Sequence, residues 1–359
     1  MARISIQNVA KKYGEGSGAH QALAGVSMEI ADGEFVALLG PSGSGKTTIL
    51  RAIAGLEKID AGVIAIDGQV VSSPGLHVTP EERKVAVVFQ NHALWPQMTV
   101  FDNVMFPLLV NAKRTGELEL RVNEALDSVE LEALKHRYPD QLSGGQKQRV
   151  ALARAMVGHP RAILFDEPLA SLDVELRRGM LRHIARARNP KISIVYVTHN
   201  QEEALALADR VAVLSEGRIE QLQTPMILSQ EPVSRMVATF VGGRNILPAT
   251  VVKTQGEHTV WLELNGYEFV ARCQKQPATA KVWVSIQPSA FEVAGQGKGL
   301  NVRADYVFFQ GDSYAMEGCC TALPETLLNI RLLLHEKPVV NGWKTLRITD
   351  AWVLPESRA

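Results

Sequence analysis

The stretch FVALLGPSGSGKTTIL, at residues 35–50, decides the fold of this chain. Its first five residues form a continuous apolar run, which predicts a strand buried on both faces. Its last residues continue into a helical pattern. Between them, residues 40–47 fit G-x-x-x-x-G-K-[ST], a glycine-rich loop whose backbone N–H groups close around phosphate groups. This order of strand, loop and helix predicts an α/β domain that binds a nucleotide through its phosphates.

The residue types of this loop each suit phosphate chemistry. Glycines let the backbone approach the phosphates, and the helix N-terminus adds partial positive charge. We expect Lys46 to reach the terminal phosphates and Thr47 to offer a hydroxyl to Mg²⁺. The predicted nucleotide contacts of this region are Gly40, Pro41, Ser42, Gly43, Ser44, Gly45, Lys46, Thr47 and Thr48.

Further continuous apolar runs predict a mostly parallel sheet packed with helices. They are VAVVFQ (85–90), AILFDE (162–167), ISIVYVTH (192–199) and RVAVLSEG (210–217). A helix-rich insert at 95–158 separates the first two of these runs, and we expect it to form its own lobe.

Polar side chains end three of these runs, where ligand chemistry in α/β sheets gathers. Since adjacent strand residues point to opposite faces, we expect Asp166 to hold Mg²⁺ through water and Glu167 to orient or deprotonate the attacking water. His199 is expected to donate to the γ-phosphate or to hold Glu167 in place. Gln90 is expected to reach Mg²⁺ or a water from its strand tip.

A second glycine-rich stretch, LSGGQKQR at 142–149, precedes another helical pattern. Ser143 suits an N-cap and the glycines permit close backbone approach, so this helix start is predicted to bind an anion. It lies in the insert, away from the strand ends, and is not expected to reach the nucleotide of its own chain. Two chains paired head to tail would each present this loop to the other's nucleotide.

Beyond residue 241 the pattern changes to alternating apolar and polar residues around Gly and Asn-Gly turns, which predicts antiparallel β structure. The stretches ATVVKTQGEHTVWLELNGYEFVARC (249–273), KVWVSI and KTLRIT carry this pattern. We therefore expect a nucleotide-binding domain at 1–241 and a small all-β, barrel-like domain resembling an OB-fold at 242–359.

Composition excludes several classes of function. Lys plus Arg and Asp plus Glu both number 38, so the chain lacks the basic surplus of a nucleic-acid binder. No run approaches the ~18–20 apolar residues of a membrane span, and the N-terminus lacks a signal peptide, so we expect a cytosolic chain. Cys273, Cys319 and Cys320 match no disulfide or zinc pattern and are expected to be reduced thiols.

Together these motifs resemble the ATP-binding subunits of ABC transporters, in the family's order across about 240 residues. The matching residues are 40–47 for Walker A, Gln90 for the Q-loop, 142–146 for the signature, 163–166 with Glu167 for Walker B and its catalytic glutamate, Ser171, Leu172 and Asp173 for the D-loop, and His199 for the switch histidine. Tyr13 falls where the family stacks an aromatic ring on adenine.

The resemblance implies that ATP and Mg²⁺ bind a head-to-tail homodimer. Two ATP molecules would lie between Walker A of one subunit and the signature of the other. The residues expected to complete the site are Ser143, Gly144, Gly145, Gln146 and Asp173, and those expected near the metal are Thr47, Gln90 and Asp166.

Membrane partners are also implied. Integral permease subunits would dock near 93–108, where exposed Leu94, Trp95 and Met98 would form an apolar patch unless they pack the core of the insert. A periplasmic or surface solute-binding protein would choose the cargo. The chain would then be a peripheral protein on the cytoplasmic face of the inner membrane.

The C-terminal region resembles the accessory domain of importer ATPases for sugars, polyamines, sulfate and ferric iron. Overall likeness points to the ferric iron importers first, with polyamine and maltose-type importers close behind. The family's V-R-P segment reads SIQPSAF here, with Gln287 in the Arg position. The alternatives are a soluble ABC protein that acts on DNA or ribosomes, and a nucleotide sensor without turnover, which the intact Glu167 and His199 disfavour.

Overall fold

The computed structural model describes residues 3–14, 16–109, 114–170, 172–186, 188–295, 298–321 and 323–355. The chain forms two compact units, Met1–Pro225 and Met226–Ala359. The predicted boundary at residue 241 lies later in the chain, after a short helix, Arg235–Phe240, that packs on a strand of the second unit.

In chain order, the strands and helices of the first unit are β1 Ile4–Tyr13, β2 His20–Ile30, β3 Phe35–Leu39, α1 Lys46–Ala54, β4 Ala61–Ile66, β5 Gln69–Ser73, β6 Leu76–His77, β7 Val85–Val88, α2 Val100–Leu109, α3 Gly116–Ser128, α4 Gly144–Met156, β8 Ala162–Asp166, α5 Val174–Arg186, β9 Ser193–Thr198, α6 Gln201–Leu207, β10 Arg210–Ser215 and β11 Arg218–Gln223.

The main sheet has six strands in the order β11-β10-β3-β9-β8-β7. The five strands predicted from continuous apolar runs are all present and all parallel, and β11 pairs antiparallel with β10. Successive residues of β8 face opposite cores: Ile163 packs with the helices of the insert and Leu164 packs with α1. Burial on both faces explains why these strands are continuously apolar.

A second, antiparallel sheet covers the other side of α1, with strand order β2-β1-β4-β5-β6. It shares one hydrophobic core with α1 and the main sheet. The continuous apolar runs of the sequence do not predict this sheet, because its strands are buried on one face only.

Arg83 fixes the C-terminal end of α1. It is 3% exposed, and its guanidinium donates to Ala52 O (2.7 Å) and Ile53 O (3.0 Å), two carbonyls of the last turn. Its other donors bind Val78 O, Val71 O and Ser72 Oγ. Burial lowers the pKa of Arg83 to about 10. A cation at this end of the helix complements the negative end of the helix dipole.

The insert consists of α2, α3 and α4, which pack on one another. These helices lie between β7 and β8 in the chain, and the helical subdomain at 95–158 stays a prediction. Buried residues of these helices, such as Val104, Val122 and Val150, belong to the same core as Phe165 and Ile194 of the sheet. The insert therefore packs on one face of the sheet.

The elements of the second unit are α7 Pro225–Gln230, α8 Arg235–Phe240, β12 Asn245–Gln255, β13 Thr259–Leu264, β14 Tyr267–Arg272, β15 Lys281–Ile286, β16 Phe291–Val293, β17 Leu300–Phe309, β18 Ser313–Cys320, β19 Leu323–Leu333, β20 Trp343–Ile348 and β21 Trp352–Val353. Strands β12-β13-β14-β21-β15 close into a barrel, and β16-β20-β17-β18-β19 form a five-stranded sheet. Both contribute to one core, which confirms the all-β prediction.

Local details of this unit follow from its sequence. Asn265 and Gly266 have φ of 48° and 84°, as a two-residue hairpin turn requires, and they join β13 to β14. The amide of Gln287 donates to the carbonyl and the hydroxyl of Ser229, at 3.2 and 3.3 Å. Gln287 thus holds α7, a contact made within its own chain.

All three cysteines are free, as expected. Among the described residues, none of the helices has both the length and the apolar character needed to span a membrane.

Candidate nucleotide site

The loop at residues 40–47 joins β3 to α1. At two of its positions there is no room for a side chain, so glycine is required. A Cβ at Gly40 would lie 2.3 Å from Leu214 O, and one at Gly45 would lie 2.5 Å from Ala22 O. Gly45 also has a φ of 99°, in the left-handed region. The backbone of the main sheet and of β2 therefore holds this loop in place from both sides.

Lys46 is the first residue of α1 and is 5% exposed. Its Nζ donates to the carbonyls of Gly40 (2.8 Å) and Pro41 (2.9 Å), so the ammonium group lies inside the loop. Burial lowers the pKa of Lys46, and the charges of Glu167 and Asp166 oppose this shift. A third, longer hydrogen bond goes to Ser44 Oγ at 3.5 Å. A desolvated cation that is held only by uncharged oxygens is well placed to exchange them for phosphate oxygens.

Thr47 and Asp166 meet at the end of β8. Thr47 Oγ1 donates to Asp166 Oδ1 at 3.2 Å. Burial raises the pKa of Asp166, and the hydrogen bond from Thr47 opposes that shift. A hydroxyl and one carboxylate are hard oxygen donors that fit Mg²⁺, which takes its remaining ligands from phosphates and water. Within the described ranges, no group of three or more His, Cys, Asp or Glu side chains is arranged so that it could hold a metal ion.

Glu167 and His199 lie at the ends of the neighbouring strands β8 and β9. His199 Nδ1 is 3.0 Å from Glu167 Oε2, a distance at which the imidazole N–H donates to the carboxylate. Glu167 has a φ of 47°, unusual for a residue with a side chain, and its N–H donates to Val197 O at 3.0 Å. This strained turn gives the two adjacent carboxylates different partners: Asp166 faces Thr47 and Glu167 faces His199.

The second loop is the N-terminus of α4. Ser143 Oγ accepts from Gln146 N (3.3 Å), and Gln146 Oε1 accepts from Ser143 N (2.9 Å), which is a complete capping box. Ser143 and Gly144 are exposed, whereas Gly145 is buried. The loop thus presents a stable helix N-terminus to solvent.

Comparison with known proteins gives the family. A family model described as ABC transporter matches residues 23–170. The spermidine/putrescine import ATP-binding protein PotA of Trichormus variabilis is 41% identical over 295 residues, which cover 81% of this chain and 75% of that protein. The chain belongs to the ABC transporter family.

Other members of the same family also match this chain. The sn-glycerol-3-phosphate import ATP-binding protein UgpC of Brucella abortus is 47% identical over 276 residues, covering 76% of this chain and 77% of that protein. The dimeric bacterial ABC transporter cassette MJ0796 has a TM-score of 0.55 and 34% identity, and the match covers 62% of this chain and 98% of that one. A second structure of MJ0796, a dimer bound to ADP and Pi, has a TM-score of 0.54.

This chain is therefore an ABC-type ATPase with an added β domain. Of the residues predicted around its loop, Pro41, Ser42 and Gly43 are exposed, and Ser44 is buried. Gln90 is exposed, two residues after β7, the strand that pairs with β8.

Tyr13 ends β1 close to the start of α1. Burial raises the pKa of Tyr13, and a hydrogen bond with the half-buried Thr48 opposes the shift. Its ring is 39% exposed, and Lys11 Nζ lies 5.2 Å from the ring centre. The ring is thus both accessible and near the loop, as stacking on a base requires.

The D-loop segment of this ABC ATPase leads into α5. Asp173 is exposed, and its Oδ1 accepts from Leu176 N at 2.9 Å. Ser171 lies outside the described residues. Leu172 is buried and belongs to the core shared by the insert and the sheet.

The predicted docking patch is less exposed than expected. Leu94, Trp95 and Met98 are half-buried, not exposed. Leu94 packs against the core, and the Trp95 ring lies 4.3 Å from that of Phe106, with the Arg154 guanidinium 4.9 Å from its centre. Among the described residues of this region, the exposed large apolar side chains are Phe106 and Leu109 of α2.

Sequence reasoning missed the polar side chains behind His199. Glu203 accepts hydrogen bonds from Tyr196 and Thr198, and it faces Arg177. The sequence offered one indication of these residues, which is their spacing from the motifs. Glu203 lies four positions after His199, and Arg177 lies four positions after Asp173, which is about one helical turn in each case.

Proposed function

We propose that this chain is the ATP-hydrolysing subunit of an ABC import system and acts as a head-to-tail homodimer. The observation that carries the proposal is the pair of contacts at the ends of β8 and β9, Thr47 with Asp166 and Glu167 with His199, beside the loop of Lys46. The import function is supported by the names of two relatives, PotA and UgpC, each an import ATP-binding protein.

Residues 40–48 bind the phosphates of ATP in this proposal. The backbone N–H groups of the loop and the N-terminus of α1 supply partial positive charge, and Lys46 moves from the carbonyls of Gly40 and Pro41 to the terminal phosphates. Tyr13 stacks on the adenine. Mg²⁺, when bound near Thr47, Asp166 and Gln90, neutralises charge on the phosphates.

Glu167 orients the attacking water and accepts its proton. His199 holds the Glu167 carboxylate through the 3.0 Å contact and lies beside the position of the γ-phosphate. The left-handed turn at Glu167 supports this role, because it directs the carboxylate away from Asp166 and towards the neighbouring strand.

The second half of each site comes from the other subunit. Ser143, Gly144, Gly145 and Gln146 form a capped helix N-terminus that suits a γ-phosphate, and Asp173 lies near the same subunit boundary in this arrangement. The dimeric state of the cassettes with this fold supports the pairing. ATP closes the dimer by bridging the two loops, and hydrolysis reopens it.

We propose a small organic solute as cargo, with a polyamine as the first candidate. The support is the identity with proteins named for spermidine/putrescine and for sn-glycerol-3-phosphate. The hypothesis of ferric iron has no such support among these relatives. Uptake of labelled putrescine, glycerol-3-phosphate and ferric iron by a deletion strain, with and without the gene, separates the three.

The proposed partners are integral permease subunits that dock near 93–108 and a solute-binding protein that acts through them. The chain would then lie on the cytoplasmic face of the inner membrane as a peripheral protein. Because Trp95 is half-buried, we expect the permease subunits to contact the nearby exposed side chains of Phe106 and Leu109 instead. Co-purification with ribosomes instead of membranes would favour the soluble alternative.

The mechanism is tested with Glu167→Gln in the full-length chain. Loss of the carboxylate charge should reduce ATP turnover by at least about 100-fold, because the water loses its base, while ATP affinity changes little. The variant should also remain dimeric in MgATP, as measured by size-exclusion chromatography. Glu202→Gln, an exposed neighbour of the site, is the control and should keep wild-type turnover. Full activity of Glu167→Gln would contradict the mechanism.

A further inference from the structure

Buried polar side chains behind His199 fix the turn that carries it. Glu203 is 2% exposed, and its Oε2 accepts from Tyr196 Oη (2.9 Å) and Thr198 Oγ1 (2.8 Å). Thr198 Oγ1 also accepts from Asn200 N at 2.9 Å. Because His199 lies between Thr198 and Asn200, these bonds hold the backbone on both sides of the imidazole.

Arg177 lies on the other side of Glu203. Its Nη2 donates to Leu172 O at 3.0 Å, while its Nε lies 3.6 Å from Glu203 Oε1, just beyond hydrogen-bond distance. This Nε is buried and lacks a hydrogen-bond partner within the described part of the chain. A buried N–H left unpaired beside a carboxylate is costly, so a small closing movement would be favourable.

Leu172 continues these contacts to the second loop. A Cβ at Gly144 would lie 3.5 Å from Leu172 Cδ2, which is ordinary van der Waals distance. Gly144, Leu172, Arg177, Glu203 and the turn of His199 are therefore neighbours in space. The one open contact among them is the 3.6 Å between Arg177 Nε and Glu203 Oε1. In the head-to-tail dimer, the first of these residues serves the partner's nucleotide and the last serves its own.

We propose that Arg177 and Glu203 are positioning residues that couple the second loop to His199, an inference that rests on the proposed head-to-tail dimer. Engagement of Gly144 by the partner's ATP shifts the segment of Leu172 and brings Arg177 Nε to Glu203. The closed pair then holds the His199 turn against Glu167. Hydrolysis at one site thereby depends on ATP at the other.

The test is steady-state ATP hydrolysis by the full-length chain with Arg177→Met, Glu203→Gln and the double variant. Each single variant should lower kcat about tenfold, with KM within about twofold, because the phosphate loop is untouched. We expect the Hill coefficient for ATP to exceed one in the wild type and to fall towards one in each variant. The double variant should be no slower than the slower single variant, since both remove the same contact.

Arg178→Met and Glu202→Gln are the matched controls. They remove the same side-chain types from exposed neighbouring positions and should keep kcat within about twofold of the wild type. Arg177→Lys is a milder second variant: an ammonium group keeps the charge but cannot serve Leu172 and Glu203 as a guanidinium does. It should keep the wild-type melting temperature and lower kcat by less than Arg177→Met does.

Wild-type kcat and Hill coefficient in both Arg177 variants would overturn the proposal. So would a loss of kcat confined to variants whose melting temperature also falls, or an equal loss in the two controls. These outcomes are distinct from failure of the proposed function, in which the wild-type chain itself does not hydrolyse ATP.

Discussion

The two glycine-rich loops of this chain both suit phosphate, but they are built differently. At residues 40–47 a Cβ on Gly40 or Gly45 would lie 2.3 or 2.5 Å from backbone of the same chain, and the lysine is buried. At the second loop a Cβ on Gly144 or Gly145 would lie at 3.5 or 3.7 Å from leucine side chains. The packing of the chain itself therefore demands glycine in the first loop and tolerates alanine in the second.

This difference indicates whether each loop serves its own chain or a second molecule. The first loop is shaped by its own chain, and in the proposed function it binds a nucleotide without the partner subunit. The second loop is exposed at Ser143 and Gly144, and its capping box occupies only the N–H groups of Ser143 and Gln146. A Cβ on Gly144 or Gly145 would meet only leucine side chains at ordinary contact distances. We infer that these glycines let a group of another molecule approach the backbone closely. In the proposed dimer, that group is the γ-phosphate of the partner's ATP.

The largest expected effect is that of Gly45→Ala. A Cβ would overlap Ala22 O, and the φ of 99° strains any residue with a side chain. We expect a loss of unfolding free energy of about 3–4 kcal/mol, together with loss of ATP binding. Urea denaturation and a nucleotide-binding assay measure these two effects. A stable Gly45→Ala chain that binds ATP would contradict the conclusion that packing within the chain requires glycine in the first loop.

The next effect is that of Gly144→Ala, the matched substitution in the second loop. Its midpoint of urea denaturation should stay close to that of the wild type, because the added Cβ meets only the Leu172 side chain at 3.5 Å. Turnover should fall about 100-fold, since the methyl group keeps the partner's phosphate from the helix N-terminus. ATP binding to the monomer should not change. Loss of monomer binding would show that the second loop belongs to its own chain's site.

The smallest expected effect is that of Tyr13→Ala, which tests whether the first loop binds the whole nucleotide within one chain. Removal of a stacking ring should weaken ATP binding by about 1 kcal/mol, roughly fivefold, and leave pyrophosphate binding unchanged. Titration of both ligands distinguishes base stacking from a contribution to the loop itself. Tyr13→Phe is the control, because it keeps the ring and removes the hydroxyl that contacts Thr48. Equal losses for ATP and pyrophosphate would contradict the stacking role.

Much of the fold was predictable because its signals are local. Strands buried on both faces must be continuously apolar, so the five parallel strands were read from their composition, and the Asn265-Gly266 turn from its residue types. The antiparallel sheet was missed because half-buried strands carry a weaker pattern. The exposure of Trp95 was wrongly predicted, because it depends on how Trp95 packs against Phe106 of α2 and against Arg154 of α4, which is distant in sequence.

The sequence by itself determined that a strand, a phosphate loop and a helix follow one another, and which polar residues end the neighbouring parallel strands. Parallel strands bring their carboxyl ends to one edge, so the candidates of the site followed from order alone. Only the tertiary structure shows which side chains meet: Glu167 with His199 at that edge, and elsewhere Arg83 with the last carbonyls of α1 and Arg177 beside Glu203. Such contacts join segments far apart in the chain, and their distances depend on how helices and sheets pack, which no local pattern specifies.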